Sequence, residues 1–395
     1  MAEPELRTLD PGDLAALADL RSLAFGGPRQ ELTPELLTGP PEHVVAAYDG
    51  DRLVGMVAVL DFGQWFGRRV VRCGGVAGVM IAPDRRGSGL ARTLLAEATA
   101  RMRRDGQVIS ALYPTTASLY RSLGWEIAGW WAKRAIAVGD LPRPSGDVVW
   151  EPVDHTDPVL GEVHAACATG RDGWVVPSAD WWAASGRRRQ AESKPSWSWL
   201  GRRQCTPVAM AVYQYTTSER SLYDLDVTAA AGTDGPALRD ALAFLGLNGT
   251  TADRVVTTLP ERLLAAHLAE PSRTKATFDW PWMLRLVDLP GAVAARGWPS
   301  GVSGEIHLDV AGPSVPDPGG PAGPWVLSID GGAATCEPGG EATVRLGVGT
   351  LAALYAGGAD PAALAFDGAI TGADDATLSM LGAIFAGTPT LPFFF

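Results

Sequence analysis

The sequence predicts a mixed α/β protein made of three successive units, and three observations carry that reading. An apolar strand runs through a Gly-rich turn into an amphipathic helix between Val76 and Met102. The same strand–turn–helix layout recurs between Ser221 and Leu245. From Met283 onward, strands outnumber helices. A length of 395 residues suits two or three domains. The units are read as 1–146, 147–279 and 280–395. The Pro- and Gly-rich stretch Gly139–Gly146 is the first linker, and Trp280-Pro281-Trp282 opens the last unit.

In the first unit, Asp10 or Asp13 is placed to cap a helix whose apolar stripe is Leu14, Leu17, Leu20 and Phe25. Gly26-Gly27-Pro28 stops it, and Pro34 to Leu37 reads as a short helical turn. Val44–Tyr48, Leu53–Leu60 and Arg69–Gly74 read as strands, with Asp49-Gly50-Asp51 as a hairpin turn. The strand from Val76 is ended by Pro83, which cannot extend a central strand. A helix follows from Gly89, with Leu90, Leu94, Leu95, Ala98 and Met102 on one face. Val108–Tyr113 is a further strand, Pro114-Thr115-Thr116 opens a short helix through Tyr120, and about Ile127 to Ala137 is the last strand of the unit.

The second unit is expected to hold strands near Trp197–Leu200, Pro207–Tyr215 and Ser221–Val227, then a helix containing Leu238, Leu242 and Leu245. The third is expected to hold strands at Met283–Val287, Ser303–Val310, Trp325–Asp330 and Ala342–Val348. Ala311–Pro324 reads as a loop, and Thr350–Tyr355 and Asp374–Phe385 as helices.

The turn at Asp84–Ala91 is where chemistry enters. Glycine lets the backbone adopt positive φ and approach a ligand closely. The N–H groups at a helix N-terminus attract phosphate oxygens, and arginines add charge-assisted bonds. The turn is thus a pyrophosphate cradle or, read locally, a tight turn with exposed arginines. No Lys-Ser/Thr pair follows, which excludes a nucleotide-hydrolase P-loop. The corresponding turn of the second unit, Ala229–Gly235, has no arginine and contains Asp234, which repels phosphate, so it reads as a structural copy without the cofactor.

Net charge of −11 argues against nonspecific nucleic-acid binding and favours cationic small substrates. Cys73, Cys167, Cys205 and Cys336 lack any C-x-x-C pairing and read as reduced, buried thiols of a cytoplasmic protein. The histidines are scattered, so no metal site is expected. The start lacks a signal-peptide pattern, and no run of about 18 apolar residues is available to span a membrane. The sequence closes on Phe393-Phe394-Phe395, costly to leave in water, so the tail reads as packed into a core or a subunit interface. Alternatively, burial of the Phe395 ring fixes its α-carboxylate in a useful place.

Arg86-x-x-Gly89-x-Ala91 after an apolar strand resembles the acetyl-CoA motif of the GCN5-related N-acetyltransferases (GNAT). Together with Val79-Met80-Ile81-Ala82-Pro83, Thr115 to Trp125, and Trp282 to Asp288 followed by Ala292 to Arg296, the whole chain resembles the Eis (enhanced intracellular survival) family. The resemblance implies an α/β (α+β) architecture of tandem GNAT-like domains, the first active and the second degenerate, plus a C-terminal sterol-carrier-like α+β domain. It implies acetyl-CoA as co-substrate without a metal. Val79, Met80 and Ile81 would hold the thioester arm. Arg85, Arg86, Gly87, Ser88, Gly89, Leu90, Ala91 and Arg92 would form the phosphate loop, with Thr115 and Thr116 nearby. Tyr120 would be the general acid and the terminal carboxylate of Phe395 the general base.

The acceptor implied is a primary amine of an aminoglycoside, a polyamine or lysine, and the assembly implied is a homo-oligomer, a hexamer. Read alone, Tyr120 is a core aromatic of a helix more readily than a catalytic group. A phenol of pKa about 10 suits protonation of a leaving thiolate of pKa about 8.5, whereas a carboxylate near 3.3–3.7 is a poor base unless burial raises it or water relays the proton. Trp65, Phe66 and Phe25 are read as lining an acceptor pocket or as core. The rival class is an apolar-ligand-binding protein with a vestigial acetyltransferase site.

Overall fold

The computed structural model describes residues 4–9, 11–32, 43–191, 195–218, 223–393 and 395. Asp10, the turn expected at Pro34–Leu37, the start of the strand expected at Ser221 and Phe394 lie outside these residues.

The first unit begins with β1 (Glu5–Thr8) and α1 (Leu14–Phe25). Asp13 stands at the N-cap of α1, but its carboxylate accepts from the Tyr48 hydroxyl (2.6 Å) rather than from the helix. β2 (Val44–Asp49), β3 (Arg52–Phe66) and β4 (Arg69–Ile81) form an antiparallel meander. The strands expected at 69–74 and 76–82 are therefore one. α2 (Leu90–Arg104), β5 (Ile109–Leu112), α3 (Ala117–Arg121) and β6 (Glu126–Ala137) follow.

The second stretch supplies β7 (Val149–Val153), α4 (Pro158–Ala168), β8 (Val175–Pro177) and α5 (Ala179–Ala191). It continues with β9 (Ser196–Arg203), β10 (Thr206–Thr217), β11 (Tyr223–Gly232), α6 (Gly235–Gly246), β12 (Ala252–Thr257) and α7 (Glu261–Ala265).

β13 (Lys275–Leu286) holds the two units together. It is antiparallel to β5 through Met283↔Leu112 and to β6 through Trp280↔Trp131, so it enters the first unit's sheet between two of its own strands. The boundary read at 279/280 falls inside this strand. The sheet runs β1-β2-β3-β4-β5-β13-β6-β12-β11-β10-β9-β7, with β8 beside β3. A strand bonded on both sides must bury its apolar residues, and Trp282, Met283 and Leu284 are fully buried.

The last stretch comprises α8 (Leu289–Ala295), β14 (Gly304–Ala311), β15 (Gly323–Asp330), β16 (Ala333–Pro338), β17 (Val344–Gly347), α9 (Val348–Ala356), α10 (Pro361–Phe366), β18 (Ile370–Thr371) and α11 (Asp375–Ile384). Its sheet has the order β16-β15-β14-β17-β18, and α9 packs on β6 and β13. The loop between β14 and β15 docks on the first unit, where the Asp317 carboxylate accepts from Arg103 (3.1 Å) and Arg285. Cys73, Cys167 and Cys336 are buried, but Cys205 is exposed in the β9–β10 turn at φ +69°, against the expectation of four buried thiols.

Candidate active site

The site begins where β4 and β5 part. Their parallel ladder runs from Cys73↔Ile109 to Val76↔Leu112, yet β4 continues to Ile81. Two features force the fork. On β4, Ala77 and Met80 face Ala58 and Met56 of β3, so β4 carries one extra residue there, and Gly78 takes it up at φ +58°. Such a bulge bends the strand. On the other arm, Pro114 follows Tyr113 and has no N–H to continue a ladder. Among the described residues no strand pairs with the β5-facing edge of β4 beyond Val76. The backbone of Val79–Ile81 therefore presents a free strand edge on that side.

Beyond Ile81 the chain makes one helical turn at Pro83–Arg85 and enters α2. Gly87 (φ +78°) and Gly89 (φ +88°, the N-cap) are left-handed, and a Cβ at either meets nothing within 4 Å. The glycines are thus required by conformation, and the space before the helix is open. The first N–H groups of α2 have no intrahelical acceptor and carry the positive end of the dipole. The Ser88 hydroxyl donates to the Arg85 carbonyl (2.7 Å) and closes the turn. Below it, Leu94, Leu95, Ala98 and Met102 are fully buried and fix the helix to the sheet.

The arginines divide. Arg85, read as a phosphate ligand, turns inward: its guanidinium is buried and pairs with Asp49 at the end of β2. Only its backbone remains for the loop. Arg86 is exposed and donates to the Ala24 carbonyl at the end of α1 (3.3 Å). Arg92 is exposed and its Nε donates to Ser122 Oγ beyond α3 (3.4 Å). Thr115 and Thr116 are exposed at the start of α3.

Tyr120 is buried on α3, its ring edge-on to Trp125 (6.2 Å between centroids) in the core beneath α1 and α2. Burial pushes its phenol up to about 12, so it is neutral at physiological pH. Phe395 lies against the other face of the sheet. Its ring packs on Phe62 (4.9 Å) and Tyr113 (5.4 Å) and covers Gly75, where a Cβ would stand 3.0 Å from the Phe395 ring and 2.3 Å from Phe62. Gly75 is one residue before the last rung of the β4–β5 ladder. Phe395 thus lies at the fork on one face of the sheet, while Tyr120 belongs to the separate core of the other face.

The tail is held by hydroxyls at the ends of two strands. Tyr113, next after β5, donates to the carbonyls of Leu391 (3.1 Å) and Phe393 (2.8 Å). Thr258, next after β12, donates to the carbonyl of Pro392 (2.7 Å). Upstream, the Thr390 N–H donates to the Asp172 carbonyl (2.9 Å), and the Trp174 indole donates to Thr390 Oγ1 (3.0 Å). Phe393 is buried against Trp181 (4.7 Å) and His164 (5.2 Å). Burial lowers the His164 imidazole to about 4.

Beside Phe395 is a cavity of about 390 Å³, lined among others by Trp131, Lys133, Trp181, Asp226, Thr258 and Phe393. An open groove of about 1170 Å³ lies along the tail from Thr388 to Pro392, over Trp130, Arg134, Asp172 and Glu261. None of Trp65, Phe66 and Phe25 lines either space: Phe66 is fully buried core against Tyr355 (5.5 Å), Trp65 packs on the same core, and Phe25 is exposed at the end of α1. The cavity residues escaped the sequence reading. The signal was present in β6, where Trp131 and Lys133 stand two apart and so share a face.

Comparison with known proteins agrees with this geometry. Residues 5–128 match an acetyltransferase (GNAT) domain, and residues 289–394 match a sterol carrier protein domain. An uncharacterized N-acetyltransferase of Streptomyces avermitilis is 26% identical over 393 residues, covering 89% of this chain and 88% of that one. A GCN5-related N-acetyltransferase from Anabaena variabilis superposes with a TM-score of 0.89 at 25% identity, over 99% of this chain and 100% of that one. Another from Kribbella flavida gives 0.80 at 27%, over 100% and 99%. Eis1 from Mycobacterium abscessus shares the fold at TM-score 0.79 and 18% identity, over 99% of each chain. The chain is an N-acetyltransferase that carries a GNAT domain at its N-terminus and a sterol carrier domain at its C-terminus, in the fold it shares with Eis1.

Proposed function

We propose that the chain transfers the acetyl group of acetyl-CoA to a primary amine, and that Tyr120 and the α-carboxylate of Phe395 move the protons. The observation that carries this is the β4–β5 fork opening beside an unobstructed, glycine-capped helix N-terminus. The residues there suit acetyl-CoA: the Val79–Ile81 backbone for the amide-bearing arm, and the N–H groups from Gly87 to Ala91 with Arg86 and Arg92 for the pyrophosphate. Arg85 would act by holding this loop to Asp49. Thr115 and Thr116 would border the same cleft.

The amine nitrogen forms a bond to the thioester carbonyl carbon and the carbon–sulfur bond breaks. The proton from the amine passes to the Phe395 carboxylate, directly or through water. The departing thiolate takes a proton from the Tyr120 hydroxyl, and the phenolate then takes one up from solvent while the Phe395 carboxyl releases one. A backbone N–H of the Val79–Ile81 edge would stabilise the carbonyl oxygen as its charge develops.

On this reading residues 1–146 form the cofactor-binding unit, 147–279 a degenerate copy, and 280–395 the unit that presents the terminal carboxylate. The full chain would act in the cytoplasm as a homo-oligomer, a hexamer. The exposed Trp130 (58%) and Phe366 (92%) support burial in an assembly.

The test is coenzyme A release from acetyl-CoA with a panel of amines, with acetyl-CoA binding followed separately by calorimetry. Release with at least one amine is expected, together with about a hundredfold loss of turnover when residues are appended after Phe395. Full activity of the extended chain would remove the carboxylate from the mechanism. Binding without release to any amine would overturn the enzyme reading.

A further inference from the structure

We propose that Asp317, in the sterol carrier domain, is a positioning residue for Tyr120: its carboxylate holds Arg285 over Trp125, and Trp125 holds the short helix that carries the tyrosine. The inference rests on the role of Tyr120 in the transfer reaction above and adds the group that sets its place. α3 has little of its own to hold a position. It is five residues long, far below the length at which a helix is stable by itself. Its N-cap residue Thr116 makes no side-chain cap bond. Tyr120 is its next-to-last residue, so whatever fixes the C-terminal end of α3 fixes the tyrosine.

That end is held by Trp125. The Trp125 N–H donates to the Tyr120 carbonyl (3.1 Å), and the fully buried indole stands edge-on to the Tyr120 ring. The Arg285 guanidinium covers the indole, 4.7 Å from its ring centroid. At that distance the cation is drawn to the face of the ring. Only 4% of the Arg285 side chain is exposed, so its charge needs a partner, and Asp317 supplies it. The same carboxylate accepts from Arg103 of α2 at 3.1 Å, and Arg103 lies close enough to repel Arg285. One carboxylate thus serves two guanidinium groups. Without it their repulsion is uncompensated, and Arg285 would leave the indole for solvent.

The loop that carries Asp317 also touches α3 directly. The Val315 N–H donates to the carbonyl of Ser122, the residue after α3 (2.9 Å). Pro313 of the loop, Arg285 and Val348 of α9 close around Gly124, where a Cβ would stand within 4 Å of each. The third unit, proposed to present the base on one face of the sheet, then also fixes the proton donor on the other.

The experiment measures kcat on the full chain with whichever amine of the panel releases coenzyme A fastest, and acetyl-CoA affinity by calorimetry, for Asp317→Asn, Tyr120→Phe and the double variant. Asp317→Asn keeps the size of the side chain and removes its charge. It is expected to lower kcat about tenfold and to leave acetyl-CoA affinity unchanged, because a misplaced proton donor slows the chemical step and spares binding. In the Tyr120→Phe background the same substitution is expected to lower kcat by less than about twofold, since the hydroxyl it positions is already gone. Arg285→Lys keeps a charge beside Asp317 and withdraws the planar guanidinium from the indole, and it serves where the asparagine variant does not fold. An equal loss of kcat in both backgrounds overturns the inference and leaves Tyr120 as the donor, as does a kcat that neither substitution moves. A Tyr120→Phe chain as fast as wild type overturns the inference and the donor together. Absence of release to any amine overturns both along with the transfer reaction.

Discussion

Two forks lie in one sheet, and only one is open. β4 and β5 run parallel from Cys73↔Ile109 to Val76↔Leu112, and β11 and β12 run parallel from Tyr223↔Ala252 to Val227↔Thr257. In each pair the first strand continues well past the last rung, to Ile81 and to Gly232. Each leads into a helix, α2 or α6. At the first helix Gly89 caps without a side chain and nothing faces it within 4 Å. At the second, the Asp234 carboxylate accepts from the Ala237 N–H (2.7 Å) and pairs with Arg203 (3.0 Å). The turn is also shut: a Cβ on Gly232 would stand 2.1 Å from the Leu238 nitrogen. The same topology thus leaves one helix N-terminus without a side-chain cap and fills the other with the chain's own carboxylate. The second fork serves the tail instead, through the Thr258 hydroxyl on the Pro392 carbonyl.

The comparison extends to the short helices that follow. Tyr120 is the fourth residue of the five-residue α3, and Leu264 is the fourth of the five-residue α7. Both are buried, at 5% and 1% exposure, so burial is common to the two forks and the hydroxyl is not. Tyr120→Phe keeps the shape and deletes the hydroxyl proposed as proton donor. Its expected effect is the largest: turnover falls about a hundred- to a thousandfold while acetyl-CoA affinity stays the same. Single-turnover kinetics beside calorimetry checks it. Equal losses in both quantities would make Tyr120 a packing residue, as Leu264 is.

The second unit's hold on the tail carries a pH signature. His164 of α4 is surrounded by the rings of Trp174, Trp182 and Phe393. Burial lowers its pKa from about 6.5 to about 4, so between those values the unfolded chain binds more protons than the folded one. Stability from the neutral imidazole is complete above about pH 6.5 and is lost as pH falls toward 4, to the extent of about 3 kcal/mol. Denaturant titrations of wild type and His164→Phe at pH 7 and pH 4.5 measure it. The wild type is expected to lose more on acidification than the variant. Parallel losses would place the acid sensitivity outside the tail's aromatic seat.

The turn into α2 was legible in the sequence because its causes are local. Pro83 ends a strand, glycines stand where φ is positive, and α2 repeats its apolar residues at helical spacing. The turn into α6 was legible for the same reason, through Asp234, but the parting of β4 from β5 at Gly78 was not read. Partners distant in the chain left no such mark. Arg85 looks like Arg86 in sequence, and only Asp49, brought alongside by the β2–β3 hairpin, turns it inward. β13 reads as the entry to a third unit because its place between β5 and β6 depends on strands more than a hundred residues away. β16 escaped because Ala333–Pro338 has only small residues on its buried face. The cavity beside Phe395 needs β6, β11, α5 and the tail together, and no one of them carries a motif.

The smallest expected effect sharpens the comparison most. If Asp234 alone keeps the second fork from binding acetyl-CoA, Asp234→Ala would create a second site; if the shut turn matters too, it would not. The close approach at Gly232 is to the backbone of Ala237 and Leu238, which a side-chain deletion does not move. The expected outcome is therefore one acetyl-CoA per chain in the variant, as in the wild type, by calorimetry. Stability should fall by about 1 kcal/mol, the usual worth of an N-cap carboxylate, with nothing added for the exposed pair with Arg203. A stoichiometry of two would mean that charge at the cap, rather than the geometry of the turn, separates the two forks.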